Sequence, residues 1–210
     1  MNMKRIILFF ASLTFAISMM AQVAAETYQA PQGPRQQPFA KEHLKFKGVE
    51  IDGTPTSFAQ QLLQKGCTRG DSGDGLIFLN GSVAGYSGCD IFISSTDKIV
   101  SWVGVAFPKR TEWSSFYSNY STIKDMLTQK YGTPTKDILN WQGHSSPNTD
   151  RERWHKATNQ ELELQTVFDT DKGRIVLTYI SLEYEAGYVT LYYYDALNQP
   201  AVQQSLMEDL

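Results

Sequence analysis

Apolar positions are distributed along this chain in three ways. Between Ile6 and Met20 they form a run broken only by Ser12, Thr14 and Ser18, preceded by Lys4 and Arg5 and followed by the small residues Val23-Ala24-Ala25. That layout predicts a secretory signal peptide over residues 1–25, cleaved near Ala25. A retained membrane anchor would need about twenty apolar residues, more than this run supplies. From Glu26 to Glu42 the chain is rich in Gln and Pro with almost no aliphatic side chains. Such a stretch has too little apolar surface to offset the entropy of ordering, so 26–42 reads as a flexible leader.

From His43 onward the pattern is that of folded elements. Leu44-Lys45-Phe46 and Val49-Glu50-Ile51 form an extended lead-in to a helix that Thr54 can cap, with Pro55 at its first position and Gly66 at its stop. Phe58 and Leu62, like Ala59 and Leu63, are four apart and give that helix one apolar face. Strand-like runs follow at Leu76–Val83, Tyr86–Ser94 and Ile99–Phe107. A second helix is predicted from Glu112 to Tyr131, with Trp113, Phe116, Tyr120, Ile123, Leu127 and Lys130 at helical spacing and Gly132 and Pro134 ending it. An irregular stretch is expected through Pro147. The capping-box spacing Thr149-Asp150-Arg151-Glu152 then starts a short helix reaching about Thr158. Three more strands are predicted at Glu161–Asp169, Arg174–Leu182 and Gly187–Asp195, and the tail over 199–210 reads as helical from Pro200.

The order is thus a helix with three strands, twice. Thr96-Asp97-Lys98 before Ile99-Val100 is echoed by Thr170-Asp171-Lys172 before Ile175-Val176, at the same hairpin of each half. Gln64-Lys65-Gly66 is echoed by Gln129-Lys130-Tyr131-Gly132. The expectation is an α+β domain over 43–198, a tandem repeat with halves about 43–110 and 111–198. Its helices would pack on one face of a curved antiparallel sheet.

The run Phe46 to Thr54, the Lys65-Gly66 pair, Gly88-Cys89 and Lys130-Tyr131-Gly132-Thr133-Pro134 together resemble an exported bacterial family of unknown function, over about His43 to Asn198. The resemblance implies a tandem α/β fold similar to that of the beta-lactamase inhibitor protein, whose halves share one curved sheet. That inhibitor has a disulfide in each half, whereas the second half here has no cysteine. Inhibition of a beta-lactamase is therefore not implied, and no functional residue carries over.

Charge narrows the partners. Of 19 basic and 22 acidic residues, only Lys4 and Arg5 leave with the signal peptide, so the net charge of the remainder is about −5. Without a basic stripe to neutralise phosphate, nucleic acid and anionic lipid are disfavoured. No cysteine lies at the cleavage site to carry a lipid, so no stable membrane anchor is expected. The implied location is the periplasm or the cell exterior, where there is no nucleotide pool and no cofactor is implied. Cys67 and Cys89 could bridge there, closing a loop worth roughly 3 kcal/mol on a chain-entropy argument, or they could pack as two buried thiols.

Candidate chemistry is thin. Gly70-Asp71-Ser72-Gly73 resembles the nucleophile segment of trypsin-like proteases, but Asp74-Gly75 follows and no histidine motif accompanies it. Arg69-Gly70-Asp71 matches a tripeptide read by adhesion receptors, yet all three residues are ordinary turn formers. Asp169-Thr170-Asp171-Lys172-Gly173 resembles the start of a calcium loop without its distal Glu, and reads better as a hairpin turn. His43, His144 and His155 are scattered, so no metal site is expected. Glu161, Glu163 and Asp169 could be imagined as paired carboxylates for glycoside hydrolysis, but they alternate with Leu162, Leu164 and Phe168 as the wet side of a strand does.

Strand parity gives the sharper hypothesis. If Cys89, Ile91 and Ile93, Ile99, Val103, Val105 and Phe107, and Val189 and Leu191 face the helices, then Phe92, Val100, Trp102, Tyr188, Tyr192 and Tyr194 face the other way. Rings with apolar bodies and polar tips are typical interface anchors. The expected function is a secreted or periplasmic, non-catalytic binding or accessory protein that takes an envelope protein or a peptide on these rings. A secreted hydrolase of peptide or glycan and a small-ligand carrier are the alternatives. The tail, the Trp141 loop or a second copy could also cover the rings.

Overall fold

The computed structural model describes residues 40–70, 76–143, 146–182 and 186–198 of the 210. The expected signal peptide, most of the leader and the tail from Pro200 lie outside the described residues, as do Asp71 to Gly75 and His144. A short hairpin opens the described chain, β1 (Lys45–Phe46) and β2 (Val49–Glu50). Lys47 and Gly48 turn between the two with positive φ. Leu44, Phe46, Val49 and Ile51 are buried, so the lead-in belongs to the core.

Helix α1 (Pro55–Gln64) starts where its punctuation predicts: Thr54 Oγ1 accepts from Ser57 N at 3.2 Å, and Gly66 turns the chain away with φ +87°. After it come β3 (Thr68–Arg69), β4 (Ile77–Val83), β5 (Tyr86–Thr96) and β6 (Ile99–Ala106). Helix α2 (Trp113–Tyr131) follows, then β7 (Lys136–Trp141) and α3 (Asp150–Thr158). In α3, Thr149 Oγ1 accepts from Glu152 N while the Glu152 carboxylate accepts from Thr149 N, the reciprocal capping box. The strands β8 (Leu162–Thr170), β9 (Gly173–Leu182) and β10 (Ala186–Asp195) close the fold.

Among the described residues, the protein is α+β, with three helices and an eight-stranded antiparallel sheet ordered β3-β4-β5-β6-β10-β9-β8-β7. In chain order β3 to β6 run from one edge to the middle and β7 to β10 from the other edge to the middle, and β6 pairs with β10 at the seam. Residues 43–110 and 111–198 each give this sheet four strands where three were expected. β3 occupies one edge, and β7 lies where an irregular stretch was expected, pairing with β8 from Lys136↔Val167 to Trp141↔Leu162. Lys136 to Trp141 has no period-two pattern, so its extended state is imposed by the neighbouring strand.

The echoed hairpins differ in detail. Asp97 and Lys98 both have positive φ, whereas the second turn is held by Thr170 Oγ1, which accepts from Lys172 N and Gly173 N. Segment Asp169 to Gly173 is thus a hairpin turn.

Helix α1 packs on β4, β5 and β6, α2 on β8, β9 and β10, and α3 on β9 and β10. One core lies beneath them. Phe58 and Leu62 of α1 and Phe116 and Ile123 of α2 meet Ile91, Ile93, Val103, Val105, Ile175, Leu177 and Leu191, all buried. No helix among the described residues is long and apolar enough to cross a membrane.

Candidate binding face

Pairing across the middle strands places the five ring-bearing residues on the sheet face away from the helices. Trp102 stands opposite Ser94 on β5 and Tyr194 on β10, and Gly104 stands opposite Phe92 and Tyr192. Ala106 stands opposite Asp90 and Thr190. Tyr188 lies two residues from Thr190, opposite Ile180 of β9. These positions alternate with Ile91, Ile93, Val103, Val105, Leu191 and Tyr193, which belong to the helix-side core.

Gly104 makes the cluster possible. A Cβ there would meet Phe92 Cδ2, Trp102 Cζ3 and Tyr192 Cε1, each at 3.1 Å, so the three rings lie over a backbone that has no side chain of its own. Trp102 packs edge-on to Tyr192 with centroids 5.8 Å apart and tilted against Tyr194 at 6.2 Å, while Tyr192 and Tyr194 stack at 6.2 Å. A sixth ring, Phe78 of β4, meets Phe92 edge-on at 5.4 Å. Phe78 was not singled out from the sequence, although the alternation of Phe78 and Asn80 against Ile77 and Leu79 carries the signal.

The expectation that all five rings are displayed needs correction. Phe92 is 3 % exposed and Tyr192 4 %, while Trp102, Tyr188 and Tyr194 are half-buried. The first two are the floor of the cluster, and the other three carry its accessible surface. Trp141 does not cover the rings: it packs at 5.1 Å on Trp113, on the helix side.

Burial pushes the Tyr192 phenol up to about 12 and holds that of Tyr194 well above its ordinary value. Burial also raises Tyr188, with the Asp90 charge adding to it. All three hydroxyls are therefore neutral at pH 7 and able to donate. Thr190 is fully buried, and its Oγ1 eases ionisation of Tyr192 without making a hydrogen bond of good geometry.

Polar groups frame the rings. At one end Arg174, opposite Tyr194, gives Nε to Asp169 Oδ1 at 2.6 Å. At the other end Asn80 Nδ2 donates to Asp90 Oδ1 at 2.6 Å.

The remaining candidates are not brought together. Glu163 and Asp169 share the ring-side face of β8, but six residues of strand place them about 20 Å apart, too far for a carboxylate pair. Glu161 is bound to Lys156 Nζ at 2.8 Å. Among the described residues, no group of three or more His, Cys, Asp or Glu could hold a metal ion.

The cysteines stand as two buried free thiols, not as a bridge. Cys89 pairs with Gly81 across β4 and β5, and Cys67 Sγ lies 3.1 Å from where a Gly81 Cβ would be, so the thiols flank the intervening strand. Burial raises the pKa of both thiols, which keeps them protonated. Comparison with protein-family models, with curated proteins and with solved structures returns no match for this chain.

Proposed function

We propose that this chain is an exported, non-catalytic binding protein that holds an envelope protein or a peptide against the ring-bearing face of its sheet. The observation that carries this reading is the gathering of Phe92, Trp102, Tyr188, Tyr192 and Tyr194, joined by Phe78, on the one sheet face that the described helices leave uncovered. Large rigid rings bury much area at little entropic cost, which is why they dominate the energetics of interfaces. Neutral phenols at the rim add directional hydrogen bonds. Export follows from the signal-like residues 1–25. A duplicated helix-and-sheet unit, similar in arrangement to the beta-lactamase inhibitor protein, accords with the mirrored strand order, the hairpin echo and the helix-end echo.

The test uses the half-buried rings, because removing Phe92 or Tyr192 would also open a cavity. A partner captured from an envelope extract, identified and purified, should bind the wild-type chain. It should lose at least about tenfold in affinity to Trp102→Ala and to Tyr188→Ala. Unchanged affinity with both variants would remove this face as the site.

A further inference from the structure

A half-buried carboxylate on the ring face has no ion-pair partner among the described residues. Asp90 of β5 is half-buried, two residues from Phe92 on the same side of the strand, and across the small Ala106 from Thr190. Its hydrogen bond from the neutral Asn80 amide leaves the charge uncompensated. Among the described residues no Lys, Arg or His comes within ion-pair distance of it. Arg174, on the same face, is already held by Asp169.

Resting on the binding reading above, we propose that Asp90 is the charge-selective subsite of the ring face and takes a Lys or Arg side chain from the bound segment.

A carboxylate moved part of the way out of water without a counter-charge costs free energy in the unbound protein, and an arriving cation converts that cost into attraction. Asp90 shows the cost: burial raises its pKa, opposed only by the Asn80 amide. The neighbouring rings suit the same occupant. Tyr188 lies on the same face, two residues along β10 from Thr190, and the Asp90 charge adds to the burial that raises its phenol, so a cation at Asp90 has aromatic neighbours on that face. A neutral segment would leave the charge uncompensated, and an acidic one would be repelled.

Three peptides test this: acetyl-Gly-Trp-Arg-Trp-Gly-amide and its counterparts with citrulline or glutamate in place of arginine, titrated by calorimetry at low salt. Citrulline keeps the shape of arginine and removes its charge. The wild-type chain should bind the arginine peptide about tenfold more tightly than the citrulline peptide, with the glutamate peptide weakest. Asp90→Asn should abolish that preference, and Glu163→Gln, an exposed carboxylate elsewhere on the same face, should keep it.

Equal binding of the arginine and citrulline peptides to the wild type, with Trp102→Ala still weakening both, would overturn the subsite and leave the face standing. Failure of all three peptides to bind at about millimolar concentration would overturn the subsite together with the face.

Discussion

His43 Nδ1 lies 3.0 Å from Oδ2 of Asp195, a fully buried carboxylate at the end of β10, so the start of the described fold is fastened to its last strand. Asp195 Oδ1 also accepts from Leu44 N at 2.6 Å, and Oδ2 accepts from Leu197 N and Asn198 N. Replacing Asp195 with Ala would leave these donors without their acceptor. The expected cost is about 3 kcal/mol, measured by urea denaturation. A loss below about 0.5 kcal/mol would show that the junction is not a structural clasp.

Gly104 is the second point of leverage. In Gly104→Ala the new methyl meets three rings at 3.1 Å, so Phe92, Trp102 and Tyr192 must each give way. Overpacking of this kind costs roughly 1–3 kcal/mol. Near-ultraviolet circular dichroism should change as well, because the Trp102–Tyr192 and Tyr192–Tyr194 contacts shift with the rings. An unaltered aromatic spectrum with unaltered stability would mean that the rings do not depend on this bare backbone.

Asp90 predicts a pH signature of stability. Burial holds its pKa above the ordinary 3.8 in the folded chain, so the folded state keeps the proton to higher pH than the unfolded state does. Below the unfolded value both states are protonated and the group costs nothing. As pH rises through the window up to the raised folded value, stability falls, and above that window the full cost remains. Asp90→Asn removes the ionisation while retaining an acceptor for Asn80. Its melting temperature should exceed that of the wild type by about 1–3 °C at pH 7 and match it near pH 3. A variant less stable than the wild type at pH 7 would contradict this.

Much of the fold was legible because local chemistry and tertiary packing agree. The Thr54 cap, the apolar stripe of α2 and the Thr149–Glu152 capping box each stand where their spacing places them. Parity also separated the five rings from the core, but it reversed Ile99 and Val100: the register shifts between Ser94 and Ser95, so Val100 is buried in the core and Ile99 is exposed. β7 was not legible, since Lys136-Asp137-Ile138-Leu139-Asn140-Trp141 becomes a strand by pairing with β8. Nor was the depth of the rings. Alternation tells which way Tyr192 points, but only the packing around it, which leaves Tyr192 buried and Trp102 half-buried, shows that Tyr192 is floor and Trp102 is rim. Asp90 carries no motif, and its interest arises wholly from what surrounds it.

The pairing of β6 with β10 means that neither half owns the proposed site. Phe92 and Trp102 come from the first half and Tyr188, Tyr192 and Tyr194 from the second, joined along a seam closed by the final strand of the described fold. Recognition of a ligand would then report that the whole domain has assembled. A chain stopped before Ala186 would have β6 and β9 as raw edges and three orphaned rings, Phe78, Phe92 and Trp102, so competence to bind arrives last, with β10.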